Sequence, residues 1–124
     1  MGGNMTAKKR ILICDDEEGI RESLKLILEN DYDLIFSCSG KECLEKLERH
    51  RDIKLVLLDI KMPKQNGLEV TREIKRVRPE IKIIIVTGYA SPEIAQEAMS
   101  AGADDYIPKP FASKEILKKI SESF

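Results

Sequence analysis

Residues 55–59 read LVLLD, four consecutive apolar residues closed by an acid. Two similar runs, ILIC at residues 11–14 and IIIV at residues 83–86, are followed by Asp15 and by Thr87. Such continuous apolar runs, without alternation, are typical of strands that are covered on both faces. Residues 32–36 and 105–107 are weaker candidates, as expected for strands at the edges of a sheet.

Segments with helical periodicity separate these runs. Apolar residues recur three or four positions apart in five stripes: Ile20, Leu24, Ile27 and Leu28; Cys43 and Leu47; Val70, Ile74 and Val77; Ile94, Ala95, Ala98 and Met99; Ile116, Leu117 and Ile120. Helix starts are predicted at Ser39-Gly40, Asn66-Gly67 and Ser91-Pro92, and Gly102 is placed to end the fourth helix.

Five strands that alternate with five helices predict an α/β domain with a parallel sheet. Right-handed crossovers then require a single-domain doubly wound (βα)5 arrangement, for which we expect the flavodoxin-like strand order 2-1-3-4-5. We expect residues 9–124 to form this domain and residues 1–8 to be a disordered lead-in.

The composition excludes several classes of protein. The 124 residues carry 21 basic and 22 acidic side chains, a balance that does not favour direct nucleic-acid binding. No apolar run approaches the roughly 20 residues of a membrane span, and the N-terminus lacks a signal-peptide core, so we expect a cytoplasmic protein. Three cysteines without a C-x-x-C pair make a disulfide framework or a zinc site improbable.

Functional side chains are expected where the carboxyl ends of the strands meet. Asp15 and Asp16 follow the first strand, Asp59 follows the third, Thr87 ends the fourth, and Lys109 follows the fifth. Any one of these acids alone would be read as a turn or cap residue. Together, they form an all-oxygen donor set that suits Mg²⁺, and the hydroxyl and the ammonium are groups used in phosphoryl transfer.

These segments resemble the response-regulator receiver domain of two-component signalling over about residues 9 to 122. The resemblance is carried by the Asp15-Asp16 pair, residues 55–63 with Gly67, residues 85–88, and residues 102–111. It implies that Asp59 accepts a phosphoryl group from a sensor histidine kinase or a phosphotransfer protein. It also implies a signalling domain rather than an enzyme, one that assists only its own phosphorylation and slow dephosphorylation.

The resemblance assigns further roles in the same way. Asp16, Asp59 and the backbone carbonyl of Lys61 would bind Mg²⁺ directly, with Asp15 assisting. Thr87 and Tyr106 would be the switch pair, and Lys109 would pair with the phosphoryl oxygens. The switch would act on the face of the fourth helix, fifth strand and fifth helix, controlling an output domain or partner outside this chain. A homodimer through that face is compatible with the sequence but not supported by it.

Three alternatives stay open on sequence grounds. A flavodoxin-like electron carrier would share the fold, but the acids at residues 15–18 would repel a flavin phosphate. An aspartate-nucleophile phosphatase would carry a D-x-D pair, whereas Asp59 is followed by Ile60 and Lys61. A degenerate receiver, acting only as an interaction module, would not need the full acid cluster. Lys61 and Tyr89, two residues after Asp59 and Thr87, are expected to flank the path of hydrolytic water.

Overall fold

Five strands alternate with five helices in the computed structural model, which describes residues 8–62, 64–89 and 91–124. The strands are β1 (Lys9–Cys14), β2 (Tyr32–Ser37), β3 (Leu55–Leu58), β4 (Lys82–Thr87) and β5 (Asp105–Pro108). The helices are α1 (Glu18–Leu28), α2 (Gly40–Arg49), α3 (Gly67–Val77), α4 (Pro92–Ala101) and α5 (Ser113–Glu122). The expected lead-in at residues 1–8 lies outside the described residues except for Lys8, as does Pro63 of the third-strand motif.

All strand pairs are parallel, and the sheet has the order β2-β1-β3-β4-β5. The predicted doubly wound α/β fold is therefore confirmed, with observed strands up to two residues longer than the apolar runs. In the central register, Ile11 lies beside Leu55, which lies beside Lys82. This order places β1 and β3 at the point where the direction of winding reverses, which is where ligands bind in such sheets.

The helices cover both faces of the sheet. On one face, α1 and α5 pack against alternate residues of the central strands, and their buried contacts include Leu24 and Ile116. On the other face, α2, α3 and α4 bury Cys43, Ile74 and Ala98 against the intervening residues. Burial on both faces explains the continuous apolar runs within β1, β3 and β4.

The predicted helix ends are confirmed by their hydrogen bonds. Ser39, Asn66 and Ser91 each accept a backbone N–H of the first turn of α2, α3 and α4 respectively. Gly102 ends α4 with a φ of 112°, in the left-handed region that favours glycine. The Lys109-Pro110 peptide bond is cis.

Two members of the predicted apolar stripes do not belong to the core. Val77 is 54% exposed and Met99 is 49% exposed. Val77 is the last residue of α3, and Met99 follows the buried Ala98 by one position, a step of about 100° around the helix. Within the described ranges, no helix has both the length and the apolar character needed to span a membrane.

Candidate functional site

Main-chain hydrogen bonds extend the sheet by one residue at its carboxyl edge and fix the predicted site residues there. The amide of Asp59 donates to the carbonyl of Cys14 at 3.0 Å, and the amide of Lys109 donates to the carbonyl of Thr87 at 2.8 Å. The side chains of Asp15, Asp59 and Thr87 are buried although they are polar. The structure therefore brings together the groups that the sequence placed on four separate strands.

The Lys109 ammonium lies at the centre of these groups. It donates to Asp15 Oδ2 at 2.8 Å, to Glu17 Oε1 at 2.9 Å and to Asp59 Oδ2 at 3.0 Å. Burial alone would lower the pKa of Lys109, but the hydrogen bonds that it donates to the three carboxylates outweigh burial and raise the pKa well above its ordinary value. Lys109 is therefore a permanent cation in this site.

Asp15 shows the opposite balance. Burial raises the pKa of Asp15 above its ordinary value, although hydrogen bonds from Lys109 and from the Glu17 amide act to lower it. The raised pKa of Asp15 therefore reflects its burial. Independently of this, three carboxylates surround the single Lys109 ammonium, so negative charge is in excess there.

The loop after β3 is held against the backbone of Asp59. Asp59 Oδ1 accepts the amide of Lys61 at 3.3 Å, and the amide of Gly67 donates to the carbonyl of Ile60 at 2.7 Å. A Cβ atom on Gly67 would lie 2.2 Å from the carbonyl oxygen of Asp59, so only glycine permits this approach. The start of α3 thereby fixes the position of Asp59.

The segment after β4 forms the other wall of the site. Thr87 Oγ1 accepts the amide of Tyr89 at 3.3 Å, and the Tyr106 hydroxyl donates to the carbonyl oxygen of Tyr89. The Lys61 ammonium lies 5.3 Å from the centre of the Tyr89 ring, a cation–π contact across the mouth of the cleft. Between these walls lies an open cleft of about 680 Å³, large enough for a phosphoryl group.

The carboxylates are arranged differently from the predicted metal set. Oxygens of Asp15, Glu17 and Asp59 lie within 4.8 Å of one another and could hold a cation. Asp16 is exposed and lines the cleft, but it lies outside that cluster. Lys61 also lines the cleft. The assignments of Asp16 and of the Lys61 carbonyl as ligands stay predictions.

Glu17 is the site residue that the sequence analysis missed. Its side chain reaches Lys109, which lies 92 positions later in the chain. The sequence did contain a signal for Glu17. It immediately precedes α1 and so occupies the N-cap position, where Ser, Thr, Asp or Asn is usual and a glutamate is unexpected.

Comparisons with known proteins agree with this geometry. A family model described as the response regulator receiver domain matches residues 11–121. Over 112 residues, the chain is 41% identical to the response regulator MprA of Mycobacterium leprae, covering 90% of this chain and 49% of that protein. The chain thus spans about half the length of this curated relative.

Two solved structures are similar to this chain over most of their length. A response regulator receiver domain protein (CheY-like) from Methanospirillum hungatei is 42% identical, with a TM-score of 0.87, covering 94% of this chain and 93% of that one. The chemotaxis protein CheY4 of Vibrio cholerae is 26% identical, with a TM-score of 0.88, covering 95% of this chain and 100% of that one.

Proposed function

The chain belongs to the response regulator receiver domain family, and from this premise we propose that Asp59 accepts a phosphoryl group. The observation that carries this proposal is the position of Asp59. Its buried carboxylate ends the central strand, and Oδ2 lies 3.0 Å from the permanent cation Lys109. The cleft beside it is also lined by Thr87, the hydroxyl residue that ends the neighbouring strand.

The transfer can be written for the residues present. An Asp59 carboxylate oxygen attacks the phosphorus of a phosphohistidine on a sensor histidine kinase or phosphotransfer protein. The new O–P bond forms as the N–P bond breaks, and the departing imidazole nitrogen takes up a proton. The Lys109 ammonium offsets charge on the transferring oxygens, and the Thr87 hydroxyl can donate a hydrogen bond to one of them. Slow hydrolysis returns the free carboxylate.

The residues present fit Mg²⁺. Carboxylate oxygens of Asp15, Glu17 and Asp59 lie within 4.8 Å of one another, and the single Lys109 ammonium contacts all three, so a hard cation would offset the remaining negative charge. Asp15, Asp16, Asp59 and the Lys61 carbonyl would hold the ion, and Glu17 is close enough to assist. When bound, Mg²⁺ would neutralise charge on the phosphoryl oxygens.

The switch proposal rests on Thr87 and Tyr106. The hydrogen bond from Tyr106 to the carbonyl of Tyr89 links β5 to the segment that follows Thr87. A phosphoryl group that engages Thr87 can therefore act on α4, β5 and α5, provided that it favours one arrangement over the other. An output domain or partner protein outside this chain would bind to that face, and a homodimer would form through the same face. The proposed protein is cytoplasmic. It binds neither nucleic acid nor a membrane directly.

Mass spectrometry after incubation with Mg²⁺ and acetyl phosphate tests the proposal. The protein should gain the mass of one phosphoryl group. Asp59→Asn should not, whereas Asp31→Asn, a change at an exposed turn, should behave as the wild type. Gain of the mass by Asp59→Asn at the wild-type rate would overturn the assignment. No gain by the folded wild type would favour the interaction module instead.

A further inference from the structure

We propose that Glu17 is a positioning residue that holds the Lys109 ammonium in the unphosphorylated protein and releases it to the phosphoryl group. This inference rests on the proposed phosphorylation of Asp59. It adds that Glu17 competes with the phosphoryl group for Lys109.

The hydrogen-bond capacity of Lys109 supplies the first argument. An ammonium group has three N–H donors. Asp15, Glu17 and Asp59 accept one each, at 2.8 to 3.0 Å. When Asp59 is modified, its contact with Lys109 can pass to one phosphoryl oxygen. A second phosphoryl oxygen can be bonded by Lys109 only if Asp15 or Glu17 gives up its contact.

Exposure indicates which contact is released. The side chain of Asp15 is 3% exposed and its second oxygen accepts the Glu17 amide, so its release would leave a buried carboxylate without its cation. The contact with Asp59 is the one that passes to the first phosphoryl oxygen, so the choice lies between Asp15 and Glu17. The side chain of Glu17 is 60% exposed, so water can solvate its carboxylate as soon as Lys109 leaves. Glu17 is the partner whose release costs least.

The start of α1 supplies a second, independent argument. Glu17 has the extended backbone of an N-cap residue, but its side chain makes no capping bond. Ser39, Asn66 and Ser91, in the same position before other helices, all make one. The Glu17 carboxylate contacts Lys109 and makes no bond to the helix end. Once released, it lies beside the partly positive N-terminus of α1, where an anion is stabilised.

Three variants test the inference at Mg²⁺ concentrations that saturate each protein. Glu17→Ala removes both the charge and the contact. Glu17→Asp keeps the charge but shortens the side chain by one methylene, so the contact is lost. Glu18→Ala removes the exposed charge of the residue that follows Glu17 and serves as the control. Phosphorylation by acetyl phosphate is followed by mass, with thermal unfolding as the check of folding.

We expect both Glu17 variants to be phosphorylated about two to five times faster than the wild type, as for loss of a half-exposed ion pair, and Glu18→Ala to be unchanged. Wild-type rates in Glu17→Ala would overturn the role of Glu17 while leaving Asp59 phosphorylation intact. Acceleration in Glu17→Ala but not in Glu17→Asp would assign the effect to the charge alone, against our proposal, as would equal acceleration in Glu18→Ala. Failure of the wild type to gain any phosphoryl mass would overturn both proposals.

A spectroscopic measurement isolates the exchange itself. In wild-type protein already saturated with Mg²⁺, the carboxyl ¹³C resonance of Glu17 should shift when beryllofluoride, a stand-in for the phosphoryl group, is added. The same addition to Asp59→Asn should leave the resonance in place. A Glu17 resonance that does not respond in the wild type, while Asp59 binds beryllofluoride, contradicts the release of Glu17.

Discussion

Gly67 and the backbone of Asp59 approach so closely that a Cβ atom on the glycine would lie 2.2 Å from the carbonyl oxygen of the aspartate. Because that oxygen belongs to the backbone, Gly67→Ala must move the loop between β3 and α3. We expect a loss of about 1–3 kcal/mol in the free energy of unfolding, as for other overpacked sites. Phosphorylation by acetyl phosphate should also slow.

Gly19→Ala is the matched control for this change, since a Cβ there would meet no atom within 4 Å. It lies in α1 and should be neutral or stabilising by up to about 1 kcal/mol in urea unfolding. Equal stability of the two variants would contradict the steric argument.

The sequence predicts the site residues that directly follow a strand, but not those whose contacts depend on a long side chain. Asp59 and Lys109 could be placed together because both directly follow strands whose order the pattern determines. The role of Glu17 could not, since its contact depends on a long side chain crossing from the start of α1 to the end of β5. Val77 and Met99 fit an apolar periodicity but are about half exposed, because periodicity does not fix where the neighbouring elements end.

Metal affinity should depend more on Asp16 than on Asp15. Both oxygens of Asp15 already accept hydrogen bonds, from the Glu17 amide and from Lys109, whereas Asp16 lies exposed in the same cleft. Mg²⁺ titrations of Asp15→Ala and Asp16→Ala should give the weaker binding for Asp16→Ala. Equal losses, or a larger loss for Asp15→Ala, would contradict this ranking.

Asp15 should reduce stability at neutral pH when no divalent metal is present. Its pKa is raised above the ordinary 3.8 by burial, so the folded state disfavours the ionised form. Compared with the ionised form, protonated Asp15 therefore favours the folded state. This stabilisation by the protonated form is fully present below pH 3.8 and is lost as the pH rises through the folded-state pKa. In EDTA, Asp15→Asn should therefore have a higher Tm than the wild type at pH 7, and the difference should shrink towards pH 3.8. A lower Tm for Asp15→Asn at pH 7 would show that its bond to Lys109 outweighs burial.

Activation should reorganise the face formed by α4, β5 and α5. The Tyr106 hydroxyl bonds the carbonyl of Tyr89, two residues after Thr87, so a change at Thr87 has a direct route to β5. Amide chemical shifts on addition of beryllofluoride and Mg²⁺ should extend across residues 91–106. Tyr106→Phe, which lacks the hydroxyl, should reduce the shifts in β5 while leaving those at the metal site. Shifts confined to the cleft in the wild type would contradict the switch.

The phosphoryl group on Asp59 should be comparatively long-lived, because Lys61 and Tyr89 meet across the mouth of the cleft. The ammonium lies 5.3 Å from the ring centre, a contact that is worth about 0.5–1 kcal/mol at an exposed position. Hydrolysis needs water in line with the bond between phosphorus and the aspartyl oxygen, and we expect the paired side chains to cover that approach.

Decay of the phosphorylated protein in Lys61→Ala, Tyr89→Ala and the double variant measures this protection. Each single change removes the cation–π contact and opens the route, so decay should be about two to five times faster in each. The double variant should decay more slowly than the product of the two single effects predicts, because both changes remove the same contact. Lys114→Ala, an exposed change at the start of α5, should decay as the wild type does. Unchanged or slower decay in all three variants would mean that both side chains leave the path of the water open.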